Sequence, residues 1–178
     1  RLRKLAKLTE LRELHYGHSG DWHYKDIPRA DFDGSGLEAL ADSKIESLHI
    51  GGSRFGLPGE LAIAGMKNLR QLLFRHVDHT EEGMTASSRH AGLVDFGIGL
   101  SHDRAAHGSK LAEVIPLILS LPNLEKLFIQ EAFLKWDNGL ATIADKGEKL
   151  KTIEFGRGSV IFPEDVERLK QALPNTNI

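Results

Sequence analysis

A chain of 178 residues with 40% apolar side chains is long enough for one domain with a continuous core. Its 23 Lys and Arg against 25 Asp and Glu give a net charge of −2, which argues against a nucleic-acid-binding surface. The absence of Cys excludes disulfides, thiolate metal sites and thiol nucleophiles, and no apolar run nears the ~20 residues needed to span a bilayer.

The chain begins at Arg1 rather than Met, which reads as an excised domain or processed product of a longer protein. In the opening RLRKLAKL, Leu2, Leu5 and Leu8 fall on one helical side, as in a cap or the helix of a preceding unit. A beat follows: one apolar residue, two residues on another, and after a single residue a third. It occurs as Leu11, Leu14, Tyr16 and again as Ile45, Leu48, Ile50. It returns as Leu69, Leu72, Phe74, then Leu93, Phe96, Ile98, then Leu124, Leu127, Ile129, and last as Leu150, Ile153, Phe155. The last two residues of each beat alternate with outward positions, as in a strand with one buried face. After each beat comes a turn and a helix-like stretch: 36–41, 58–66, 81–91, 110–121, 139–149 and 163–173. Strand followed by helix, repeated, predicts a parallel sheet with helices on one side. The eighteen apolar positions of the beats are the expected core, each worth roughly 1.5–3 kcal/mol when fully buried. No single unit can bury its own face, so neighbours must supply the other wall.

This LxxLxL spacing resembles the leucine-rich repeat family, and more closely the bacterial repeats with full helices. The leading residues are spaced by 34, 24, 24, 31 and 26, against 20–29 for that family. The two long intervals read as the same unit with a loop inserted after the strand. The resemblance implies an α/β fold: a right-handed solenoid of about six repeats, with a short parallel sheet on the concave side and helices on the convex side. It covers nearly the whole chain as one domain, 1–178. The position eight residues after the first Leu holds Ser19, Ser53, Val77, Ser101, Ala132 and Gly158, where the family commonly has Asn or Cys.

The outward strand residues fall into three columns. The first is Glu13, Ser47, Gln71, Asp95, Lys126, Thr152; the second His15, His49, Leu73, Gly97, Phe128, Glu154; the third Gly17, Gly51, Arg75, Gly99, Gln130, Gly156. Leu73 and Phe128 are separated only by Gly97 and are expected to form one apolar spot with a hollow between them. Asp95, Arg75 and Gln130 supply mixed polarity around it. His15 and His49 occupy the same position in consecutive units, roughly 4.8 Å apart. At that distance they either share a metal or flank an anion, or they are simply two exposed histidines. The first insert carries His18, Trp22, His23 and Tyr24, and the second His102, Asp103 and His107. Trp22 is read equally as a contact residue and as packing on the first unit. DFDGSGLEALAD, residues 31–42, imitates a calcium loop, but no helix precedes it and Asp42 stands where a bidentate Glu is usual. Ser35 and Glu38 read instead as a capping box opening a helix.

No GxSxG, P-loop or HExxH motif is present, and Ile161 stands where a dinucleotide fingerprint starting at Gly156 needs its third glycine. The expectation is a noncatalytic module without cofactor or metal that binds a protein through its concave face and inserted loops. The candidate residues are His15, Trp22, Tyr24, His49, Leu73, Arg75, Asp95, Phe128 and Gln130. The alternative is a glycan- or small-ligand-binding module using the His-, Trp- and Tyr-rich inserts.

Overall fold

The computed structural model describes residues 2–17, 33–51, 55–75, 81–99 and 107–178. The inserts carrying His18, Trp22, His23, Tyr24, Asp31, His102 and Asp103 lie outside them, as do Ser19, Ser53, Val77 and Ser101 and the side chain of His107.

The chain opens with a 3-10 helix at Leu2–Lys7, followed by β1 (Glu13–Tyr16), a 3-10 helix at Leu37–Leu40 and β2 (Ser47–Gly51). Then come α1 (Leu57–Ala64), β3 (Gln71–Arg75), α2 (Glu81–Ser87), β4 (Asp95–Gly99), α3 (His107–Leu119) and β5 (Lys126–Gln130). The final third holds β6 (Phe133–Leu134), a 3-10 turn at Trp136–Asn138, α4 (Leu140–Lys146), β7 (Thr152–Phe155), β8 (Val160–Ile161) and α5 (Pro163–Ala172). Strands β1, β2, β3, β4, β5 and β7 form one parallel sheet in sequence order. None of the described helices is long and apolar enough to cross a membrane.

The register follows the beat. Leu14, Leu48, Leu72, Phe96, Leu127 and Ile153 are aligned across the sheet, and so are Tyr16, Ile50, Phe74, Ile98, Ile129 and Phe155. From β2 to β5 both rows are fully buried, and they merge with Ile63, Leu111, Ile115, Ile118, Leu140, Ile143 and Leu169 of the helices in a single core. Within it Phe74 packs between Phe55, at 5.6 Å between ring centroids, and Phe96, at 5.9 Å. A slip of one residue in any strand would turn such a row out to solvent, so burial pins the register.

Strands β2, β3, β4, β5 and β7 are each entered through the same hydrogen-bond fork. The carbonyl of Arg12 accepts the N–H groups of both Glu46 and Ser47; those of Glu46, Arg70, Val94 and Glu125 do the same for the next strand. A carbonyl has two lone pairs, so one oxygen can satisfy two donors where the chain bends into the strand. Side chains add a parallel tie just before the leading apolar residue. Asn68 donates to the Ser43 carbonyl, Asn123 to that of Ala91 and Lys149 to that of Leu121. Beyond β7 the C-terminal segment continues the ladder: Ile153 N–H donates to the Asn177 carbonyl at 2.8 Å, and Asn177 N–H to that of Lys151 at 2.9 Å.

Three local expectations are corrected. The Ser35–Glu38 capping box does not form. Gly36, at φ +98°, caps a short 3-10 helix instead, with Glu38 accepting the Gly36 N–H at 2.6 Å and Asp33 the Ser35 N–H at 2.8 Å. The left-handed glycine moves the helix start past Ser35 and out of reach of its hydroxyl. Leu8 does not join Leu2 and Leu5 against the core and is 51% exposed, because a 3-10 helix ending at Lys7 does not sustain the α-helical period that aligned the three. The last two units also carry strands that the beat did not announce, β6 and β8, paired to each other in a separate two-stranded sheet.

Candidate functional site

The sheet face opposite the helices presents the outward columns in the register read from the sequence. Of the expected binding residues, His15, His49, Leu73, Arg75, Asp95, Phe128 and Gln130 all stand on this face. Trp22 and Tyr24 lie outside the described residues.

In the first column a hydrogen-bond chain runs across three strands. The Ser47 hydroxyl donates to Gln71 Oε1 at 2.9 Å, and Gln71 Nε2 donates to Asp95 Oδ2 at 2.9 Å. Partial burial pushes the Asp95 carboxyl above the usual carboxylate range, against the opposing pull of Lys126 and the Gln71 N–H. Lys126 itself pairs with Glu154 at 2.9 Å.

In the second column the rings of His15 and His49 stack with centroids 4.1 Å apart and planes 26° from parallel. His15 Nε2 also lies 2.5 Å from Glu13 Oε1, two residues back on the same face of β1. Burial, and then the charge of His15, hold the His49 imidazole below its ordinary pKa. The hydrogen bond from His15 holds the exposed Glu13 carboxyl below its own. The participation of Glu13 escaped the sequence reading, although the spacing Glu13-x-His15 on one strand carried the signal. A recess of about 60 Å³ opens beside the two rings, walled by Leu73 and Arg75 and floored by Gly17 and Gly51.

The second and third columns together explain what the glycines are for. The expected hollow at Gly97 is filled, because Leu73 leans over it. A Cβ at that position would sit 2.4 Å from Leu73 Cδ1 and 3.3 Å from Phe128 Cδ1. Phe128 likewise overlies Gly156, where a Cβ would lie 2.5 Å from its Cζ. Over Gly99, Arg75 reaches across a whole strand to donate from Nη2 to Gln130 Oε1 at 2.9 Å. Gln130 is only 2% exposed, and among the described residues its Nε2 finds no acceptor. Missing side chains at 97, 99 and 156 thus let large neighbours lie flat across the sheet. The result is an apolar spot, Leu73 with Phe128, between a cationic edge at Arg75 and the Asp95–Lys126–Glu154 cluster.

The calcium-like loop has other uses for its groups. Asp33 closes its own turn on the Ser35 amide, and the Asp42 carboxylate pairs with Lys67 at 2.8 Å.

No protein-family profile matches the chain, and no curated protein sequence matches it significantly.

Proposed function

We propose that this chain is a noncatalytic binding module of leucine-rich-repeat type, six strand–helix units forming a curved solenoid, which holds a protein partner on its open sheet face. The observation that carries this reading is the apolar spot of Leu73 and Phe128 laid over Gly97 with charged groups around it. Aromatic and Arg side chains at the centre of a patch, surrounded by polar groups, are the composition that protein interfaces favour. The face is too polar for an obligate dimer, whose interfaces are more continuously apolar. The repeated fork of hydrogen bonds and the in-register rows support a repeat architecture, and a rigid parallel sheet is a suitable frame for a fixed recognition surface.

The test is to pan a displayed random-peptide library against the immobilised protein and measure the enriched peptides on three variants. Phe128→Ala and Arg75→Glu are expected to weaken them at least tenfold. Leu61→Ser, at an exposed position of α1, is expected to leave them unchanged. Enriched peptides that ignore both sheet-face substitutions would sink the reading.

A further inference from the structure

The pair of stacked imidazoles is not needed for the apolar spot, and its geometry suggests a separate use. Glu13 and His15 lie two residues apart on one face of β1, and His49 lies directly opposite His15 on β2. One ligand atom from each, a carboxylate oxygen and two imidazole nitrogens, can be chosen so that all lie within 4.8 Å of one another. We propose that Glu13, His15 and His49 form a site for a divalent transition metal of the zinc class, with two nitrogen ligands, one oxygen ligand and a fourth position left open.

Zinc binds imidazole nitrogen at about 2.0–2.1 Å and carboxylate oxygen at about 2.0–2.2 Å, so ligand atoms around a tetrahedral ion stand roughly 3.3 Å apart. The His15–Glu13 pair, at 2.5 Å, is now closer than that and would open slightly to admit an ion. The side chains of Glu13 and His15 are each 59% exposed, so their outer torsions can adjust without disturbing the core. The backbone beneath them is held by the parallel ladder, with Glu13 opposite Ser47 and His15 opposite His49.

The protonation states favour the same use. A metal ligand must be unprotonated, and His49 is biased that way by burial and by the neighbouring ring. An ion bound there would replace the Glu13–His15 hydrogen bond, and with a single carboxylate ligand the site would keep a net positive charge. Ser47 Oγ, 3.3 Å from His49 Nε2, ties that ring into the Ser47–Gln71–Asp95 chain, an outer layer of the kind that orients metal-bound imidazoles. Arg75 borders the same recess and opposes a bare cation. Its head group is engaged by Gln130, and its charge would favour an anionic group in the open fourth position.

The experiment is isothermal calorimetry of the full chain, stripped with chelator and titrated with zinc chloride at pH 7.5, alongside thermal melts with and without zinc. The expected result is one tight equivalent, weakened at least tenfold by His15→Ala or His49→Ala and several-fold by Glu13→Gln. The zinc-induced rise in melting temperature should vanish in the same variants. The chain has nine histidines, and each histidine variant keeps the other eight, so loss of the tight equivalent cannot be assigned to those. His15→Gln and His49→Gln serve where an alanine variant does not fold. No tight equivalent in the parent protein, or one that survives both histidine substitutions, would overturn the assignment. Because the titration uses the metal alone, its result is independent of partner binding at Leu73 and Phe128.

Discussion

His15 and His49 are far apart in sequence, yet their rings stack at 4.1 Å because β1 and β2 run parallel in register. Burial, and then the charge of His15, make protonation of His49 unfavourable, and a pH dependence follows. The groups acting on His49 are His15 and Glu13 from β1, Gln71 and Arg75 from β3 and its own partial burial. Burial, His15 and Arg75 lower its affinity for protons, while Glu13 and Gln71 raise it, and the net effect is downward. The unfolded chain takes up this proton near the ordinary value of 6.5, whereas the folded chain resists it. The associated stability is therefore present above pH 6.5 and is lost as pH falls toward the depressed folded value. Melts of the parent and of His49→Gln between pH 8 and 5 should show the parent losing more stability on acidification. Parallel curves would remove His49 as the cause.

Phe74 is the middle ring of the aromatic column formed with Phe55 and Phe96, and it is fully buried. Phe74→Ala empties space that the sheet cannot close, because its neighbours are fixed by the strand ladders. The expected loss is about 3–5 kcal/mol in urea unfolding. Phe133→Ala offers the contrast. Phe133 is 40% exposed and meets Phe162 edge to face at 6.0 Å. Its removal is expected to cost about 0.5–1.5 kcal/mol, the worth of an aromatic pair. Similar losses for the two would mean that the column does not anchor the core.

The sheet could be read from the sequence because the buried residues of each strand recur with period two and successive strands pair in chain order. Leu72, Phe96 and Leu127 had to meet once their strands were parallel, and the outward columns followed. Features made by single atoms could not be read this way. Gly97 reads from the sequence as a hollow, whereas it, Gly99 and Gly156 are floors on which Leu73, Gln130 and Phe128 lie. Which way a side chain leans is set by its neighbours, not by its own alternation. β6 and β8, with two residues each, are too short to show a period. The helix start after Ser35 depended on the handedness of Gly36, which a capping motif does not encode.

That turn yields a sharp comparison. Gly34 and Gly36 both have positive φ, at +87° and +98°. An L-residue there costs roughly 1–2 kcal/mol from backbone strain alone. At Gly36 a Cβ would, among the described residues, meet nothing closer than Leu2 at 3.6 Å, so Gly36→Ala should cost about that much. At Gly34 a Cβ would fall 2.2 Å from the Cα of Gly59, which is backbone and cannot swing aside. Gly34→Ala must move the first residues of α1 as well and should be clearly the more damaging. Denaturation midpoints of the two variants decide the point, and equal midpoints would contradict the close approach.

Asp95 gives the opposite kind of prediction, a substitution that stabilises. Its carboxyl is held above the ordinary value of 3.8, first by burial, so folding favours the protonated form. A group of this kind contributes stability that is complete below the unfolded pKa and is lost as pH rises through the folded one. At pH 7 the carboxylate is therefore a net burden, even with Lys126 nearby and the Gln71 N–H donated to it. Asp95→Asn keeps an oxygen for Gln71 and removes the buried charge, while Lys126 retains Glu154 at 2.9 Å. The variant should melt higher than the parent at pH 7, and the gap should close near pH 3, where the parent carboxyl is already neutral. A variant that melts lower at pH 7 would mean that attraction to Lys126 outweighs the burial of the charge.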